Sequence, residues 1–256
     1  MNARRSQDCI VPTAASPADR PVSRRHVMVD IDPAHRDLVA GSLGDGLLPM
    51  HRRPDVVDRI RRIFLAGRIP GIVCAPKAPV PEGWMWIGVS FPLREDGVRV
   101  RSAVALPCAG ICGVHSPWEV MDRIAPGAFP AADELLALAA LGRDHGIAVG
   151  LFGSAALQAL TGLPYMEPRS DVDAVVVARS SAGLRSFHAA LAGFATRYNR
   201  KYDVEVATPG GLGVKLTELV SDVTAVAGRG IDGVRLVDRY RVLDEIDTLP
   251  PLFPVP

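Results

Sequence analysis

Gly150-Leu-Phe-Gly-Ser154, then sixteen residues, then Asp171-Val-Asp173, and about thirty residues later Asp203-Val-Glu205, form the stretch on which the reading of this chain turns. Just upstream, Gly146-Ile-Ala-Val-Gly-Leu-Phe152 is an apolar run of a length that suits a buried strand. Ala155 to Leu160 suits a helix, so Gly153-Ser154 reads as the turn between them. Side chains alternate along an extended chain, which puts Asp171 and Asp173 on one face about 7 Å apart. Ala174-Val-Val-Val177 continues that strand, and residues 180–198 repeat Leu184, Phe187, Leu191 and Phe194 at helical spacing. Tyr202 to Ala207 is a further strand. Asp203 lies early on it, and if it runs beside the Asp171 strand a third carboxylate joins the first two, with Glu205 on the same side.

The chemistry behind the pattern is that of a triphosphate. Attack on a nucleoside triphosphate needs a divalent cation to neutralise phosphate charge, and Mg²⁺ takes oxygen ligands, which two carboxylates on one strand can supply. Gly153 lets backbone approach a phosphate with no Cβ in the way. The Ser154 hydroxyl and the free N–H groups at a helix opening can receive phosphate oxygens. Singly, each feature has a plainer explanation: a Gly-Ser pair before a helix is a turn with its N-cap, and alternating aspartates at a strand start are ordinary surface. The combination is what points to metal-dependent nucleotidyl transfer.

The Gly-Ser pair, the Asp-x-Asp pair and the later aspartate together resemble the nucleotidyltransferase fold of the DNA polymerase beta superfamily. Further segments follow in order: Leu160-Thr-Gly-Leu-Pro164, Ser170-Asp-Val-Asp173, Asp203-Val-Glu-Val-Ala-Thr-Pro209-Gly and Asp232-Gly-Val-Arg-Leu-Val237. With His35-Arg-Asp-Leu38 and Ile87-Gly-Val89 followed by Pro92 and Arg94, they are similar to the malonate decarboxylase holo-acyl-carrier-protein synthase, or phosphoribosyl-dephospho-CoA transferase, family across roughly residues 33–245. The chain departs from that family's pattern at Ser90-Phe91, Glu218-Leu219 and Asp238-Arg-Tyr240.

The resemblance implies that a serine of the apo acyl-carrier subunit of malonate decarboxylase attacks 2'-(5''-triphosphoribosyl)-3'-dephospho-CoA, releasing pyrophosphate. It also implies that Asp171 and Asp173 hold Mg²⁺, that Gly153 and Ser154 contact the triphosphate, and that Asp203 completes the metal site or accepts the serine proton. A nucleotidyltransferase that adds AMP from ATP to another hydroxyl, and a nucleotide-binding module without turnover, are the competing classes. The third carboxylate speaks against the inert module.

Composition bounds the rest. A chain of 256 residues, 48% hydrophobic, can bury a substantial core and suits two domains. The expected fold class is α+β: a nucleotidyltransferase-like mixed sheet with flanking helices over residues 127–256, preceded by a smaller α+β domain over 33–126. Residues 1–32, rich in Arg, Ser, Pro and Ala without periodicity, are expected to be a disordered extension. In the smaller domain the pattern predicts a helix over Pro54–Ala66 and strands at Gly71–Cys74, Trp86–Phe91 and Val98–Leu106. In the larger it predicts a helix over Ala131–Gly142 and, at Arg229-Gly-Ile-Asp-Gly233, a hairpin with Asp-Gly at its tip that closes the sheet edge.

No apolar run is long enough to span a bilayer and no secretory signal opens the chain, so a cytoplasmic location without membrane partners is expected. A net charge of +1 argues against a nucleic-acid partner. Arg52, Arg53, Arg59, Arg61, Arg62 and Arg68 gather around the Pro54 helix, as a solvated face or a docking surface for an acidic carrier. Cys9, Cys74, Cys108 and Cys112 lack zinc-ligand spacing and read as buried thiols, and His188 reads as an ordinary helix position. The final Leu-Pro-Pro-Leu-Phe-Pro-Val-Pro has no periodicity.

Overall fold

The computed structural model of the protein describes residues 25–248. The expectations for the first 24 residues and for the proline-rich end lie outside them. Two compact units divide the described chain, one of residues 27–115 and one of residues 25–26 with 116–248.

The first unit is an antiparallel five-stranded sheet with two helices. Its elements are β1 (Met28–Ile31), α1 (Arg36–Ser42), α2 (Pro54–Ala66), β2 (Gly71–Val73), β3 (Trp84–Glu95), β4 (Val98–Pro107) and β5 (Ile111–His115), with strand order β4-β3-β2-β1-β5. Helix α2 starts with Pro at its first position and Asp55 in its first turn, both favourable there, and buries Val56, Ile60 and Phe64 at four-residue spacing. The β3–β4 hairpin turns on Asp96 and Gly97, both at positive φ (50° and 76°), as the tight turn matching strand twist requires. Strand β3 runs past the predicted Phe91, and β1 lies inside the segment expected to be an extension, because Val27, Met28 and Val29 are buried between β2 and β5.

The second unit comprises α3 (Pro117–Asp122), α4 (Ala132–Asp144), β6 (Ile147–Leu151), α5 (Gly153–Thr161), β7 (Val172–Ala178), α6 (Ser181–Tyr198), β8 (Tyr202–Ala207), β9 (Gly213–Lys215), α7 (Leu216–Leu219), β10 (Ala225–Gly230), β11 (Gly233–Asp238) and α8 (Arg239–Asp247). The sheet order is β11-β10-β9-β8-β7-β6. Only β7 and β8 pair in parallel, which requires a crossover, and α6 supplies it. Alternation then sorts the faces. Val172, Ala174, Val176 and Ala178 of β7 are at most 2% exposed, on the side where Leu184, Phe187 and Leu191 of α6 and Leu135 and Leu138 of α4 are buried too. Asp173 falls on the opposite face.

The division falls at His115/Ser116 and not at residue 126, because α3 packs against β6: a Cβ on Gly150 would meet Pro117 at 2.8 Å. Trp118 therefore belongs to the second unit. The last hairpin is the sheet edge, but its two-residue loop is Ile231-Asp232, with Gly230 paired to Gly233, so Asp-Gly is shifted one position from the tip. The arginines around α2 are largely engaged. Arg53 and Arg59 bond Glu95, Arg61 the carbonyls of Ala40 and Gly41, and Arg52 those of Leu47 and Asp45. They help bind the first unit together, while Arg53 and Arg59 remain about half exposed at 47% and 55%. Cys112 is exposed, in contrast to the buried thiol expected there. Among the described residues no helix is long and apolar enough to cross a membrane.

Candidate functional site

Gly153 and Ser154 open α5 itself instead of forming a separate turn before it. Gly153 has φ +67°, and a Cβ there would run into the Asp173 carboxylate. The preceding Phe152 donates its N–H to the Asp173 carbonyl at 3.2 Å, which ties the helix opening to the start of β7. Two constraints thus demand glycine: left-handed backbone and the closeness of a carboxylate. Gly153→Ala is expected to lower stability by about 1–2 kcal/mol from the backbone alone, with further loss from the collision, in urea denaturation. Gly162→Ala, also at positive φ (+70°) but with open space around its Cβ position, isolates the backbone share.

In the parallel register Asp173 lies directly beside Asp203, and Val175 beside Glu205; across β8 and β9, Glu205 lies opposite Lys215. Directly paired residues share a face, so Asp173, Asp203, Glu205 and Lys215 form one polar row on the side of the sheet away from the α6 core. Two ammonium groups already sit on its carboxylates: Lys215 bonds Asp203, and Lys201 bonds Asp171 at 2.8 Å. The hydrogen bond and charge of Asp171 raise the pKa of Lys201, and Asp203 and Asp173 add to the rise against a small desolvation.

Asp171 stands at the outer end of the row, exposed, one residue before β7 begins. Among the described residues no group of three or more His, Cys, Asp or Glu side chains converges as a metal cage. What is present is a pair of carboxylates on adjoining strands with a third two residues from one of them. That donor set fits Mg²⁺, which keeps waters and shares phosphate oxygens while using one or two carboxylates.

The strand start is braced from below. Arg200 donates to the Ser170 carbonyl at 2.7 Å, immediately before Asp171, and pairs with Glu134 of α4 at 2.7 Å; Tyr202 also donates to Glu134. Burial, followed by the hydrogen bond to Glu134, pushes the Tyr202 hydroxyl well above its ordinary pKa, so it remains a donor. Glu134→Ala would leave Arg200 without its carboxylate at a largely buried position. We expect a loss of about 2 kcal/mol in urea denaturation.

Sequence reasoning missed a second cluster. Arg25 and His26 both reach Glu205, at 2.9 and 3.0 Å, and the His26 ring stacks on Phe152 with centroids 3.7 Å apart. Arg25 also donates to the Arg229 carbonyl at 3.2 Å. His26 has φ +68°, unusual for a residue with a side chain and sustained here by the stack and the ion pair. Lys201 and Lys215 were missed as well. For Lys215 the only available signal was its place on a short strand after Asp203, and for Arg25 and His26 there was none, because they lie far from Glu205 in sequence.

The acidic row, the glycine that opens α5 and the crossover helix all lie within residues 119–240. Residues 119–240 match the family described as phosphoribosyl-dephospho-CoA transferase MdcG C-terminal domain. The second unit thus resembles the transferase domain that description names.

Full-length relatives extend the likeness. A phosphoribosyl-dephospho-CoA transferase of Xanthomonas euvesicatoria pv. vesicatoria is 29% identical over 187 residues, 73% of this chain and 86% of that protein. One of Bradyrhizobium diazoefficiens is 26% identical over 218 residues, 84% of this chain and 94% of that protein. Both the domain match and these relatives make the chain similar to phosphoribosyl-dephospho-CoA transferases. No solved structure gives a significant match to it.

Proposed function

We propose that this protein transfers phosphoribosyl-dephospho-CoA from 2'-(5''-triphosphoribosyl)-3'-dephospho-CoA to a serine of the apo acyl-carrier subunit of malonate decarboxylase, releasing pyrophosphate, and that the second unit has a nucleotidyltransferase-like fold. The observation that carries the reading is the pairing of Asp173 with Asp203 across β7 and β8, directly beside the glycine that opens α5. The name those relatives carry supplies the transferred group.

Asp171 and Asp173 would hold Mg²⁺, and Asp203, which already carries an ammonium group, would complete that cation site. Bound there, Mg²⁺ neutralises charge on the phosphate oxygens and orients the pyrophosphate leaving group. The chain's own part is positioning and charge. Gly153 lets the triphosphate approach the opening of α5, whose free N–H groups and the Ser154 hydroxyl receive its oxygens. Lys215 and Lys201, paired with Asp203 and Asp171, are cations of this chain that would offset charge on the departing pyrophosphate. The acceptor serine oxygen forms a bond to the α-phosphorus, the bond to pyrophosphate breaks, and the serine proton passes to water.

The direct test is the intact mass of the carrier after incubation with enzyme, Mg²⁺ and triphosphoribosyl-dephospho-CoA, with ATP and metal-free controls. A Mg²⁺-dependent gain equal to phosphoribosyl-dephospho-CoA is expected. No gain with that donor and adenylylation in the ATP arm would replace this reading by a general AMP transferase.

A further inference from the structure

A cleft of about 260 Å³ opens between α6 and the end of the second sheet where β8 starts and β9 finishes. We propose that it is a purine site, and, resting on the transferase reading, that it seats the adenine of the donor's dephospho-CoA half. Its volume falls just below the roughly 300–1,000 Å³ of sites that enclose whole drug-sized ligands, so it takes one ring system and leaves the rest of a coenzyme outside. Two small residues of α6, Ala192 and Ala195, make the hollow, and Leu191 and Leu216 give it apolar walls against which a flat ring can lie. His188 and Thr217 line it too and supply donors and acceptors suited to the edge of a base.

Charge supplies the direction. Lys201 and Lys215 line the same cleft, which gives the phosphates of a nucleotide cationic partners once its ring is inside. Asp203 lines the cleft at the start of β8 and its side chain belongs to the row on the opposite face, so the phosphate side of a nucleotide seated here would reach the candidate reacting groups around that end of the sheet. An apolar slot for the ring, polar edge groups and two ammonium groups on the way to the carboxylates match a nucleotide better than a peptide or an acyl chain, neither of which uses all three.

The test fills the slot. Ala192 is exposed on α6, so Ala192→Trp adds a ring to the cleft without disturbing the core; Ala189→Trp, also exposed on α6 and outside the cleft, is the control. AMP, dephospho-CoA and ribose 5-phosphate are titrated calorimetrically into each folded protein. AMP and dephospho-CoA are expected to bind wild type at least tenfold more tightly than ribose 5-phosphate. Ala192→Trp is expected to weaken both at least tenfold, and Ala189→Trp to leave them unchanged.

Absence of AMP binding to wild type, equal affinity for ribose 5-phosphate, or an unchanged AMP affinity in Ala192→Trp overturns the proposal. Carrier transfer separates the two readings. Transfer by wild type with an unaltered donor KM in Ala192→Trp removes the purine site and leaves the transferase. AMP binding lost in Ala192→Trp, with no transfer by wild type, removes the donor assignment and leaves the purine site.

Discussion

Asp173→Asn is expected to reduce carrier modification by at least about a thousandfold while the protein stays folded, because a charge that neutralises a transferring phosphoryl group acts mainly in the transition state. The side chain is half-buried on the opposite face of β7 from the α6 core, beside Asp203 and against Gly153, so the replacement keeps its volume and removes the charge. Little core is at stake, since the buried face of that strand is made by Val172, Ala174 and Val176. Asp171→Asn is expected to have the same sign. Its side chain is 45% exposed and tied to Lys201, so it is held less firmly. The measurement is the single-turnover rate of carrier mass gain, with a thermal melt alongside. Near wild-type transfer in both variants would remove the carboxylates from the mechanism.

The order of elements in the second unit was legible because each signal was local. The apolar run ending at Phe152, the spacing of Leu184, Phe187 and Leu191, and the Tyr202–Ala207 strand match β6, α6 and β8 within a residue or so. Pairing was legible only in part. Spacing brought Asp171 and Asp173 to one face, but the register that sets Asp173 beside Asp203 comes from how α6 returns the chain.

What sequence could not show is which groups neutralise the row. Lys215 follows Asp203 by twelve residues and Arg25 precedes Glu205 by 180, and no periodicity links either pair. The arginines near α2 went the other way. As a string they suggested an outward basic face, and most of them are exposed, but several also bond carbonyls and Glu95 within their own unit. Guanidinium groups with five donors readily satisfy backbone carbonyls that helix ends leave open, and a charge count cannot reveal that use.

Glu205→Gln is expected to cost about 3 kcal/mol at pH 7, and the loss should vanish in acid. Glu205 is 4% exposed, and burial by itself raises its pKa; the hydrogen bond from His26 and the charge of Arg25 more than reverse this, bringing it down to about 2. A carboxyl depressed in the folded state contributes stability that is complete above its unfolded pKa, near 4.5, and is lost as pH falls through the folded value. The window is therefore from roughly pH 5 down to pH 2. Glutamine keeps the shape and an acceptor but leaves Arg25 largely buried without its counter-charge and removes the carboxylate that His26 bonds, a loss of the kind that costs about 3–5 kcal/mol when a buried pair is broken. Urea denaturation of both proteins across that range should show stabilities that differ by about 3 kcal/mol at neutral pH and converge near pH 2. A constant difference at every pH would mean that packing, and not the ion pair, holds Arg25 and His26 in place. Because His26 stacks on Phe152 just before Gly153, the same variant should also loosen the opening of α5, and the donor KM should rise at neutral pH with the chain still folded.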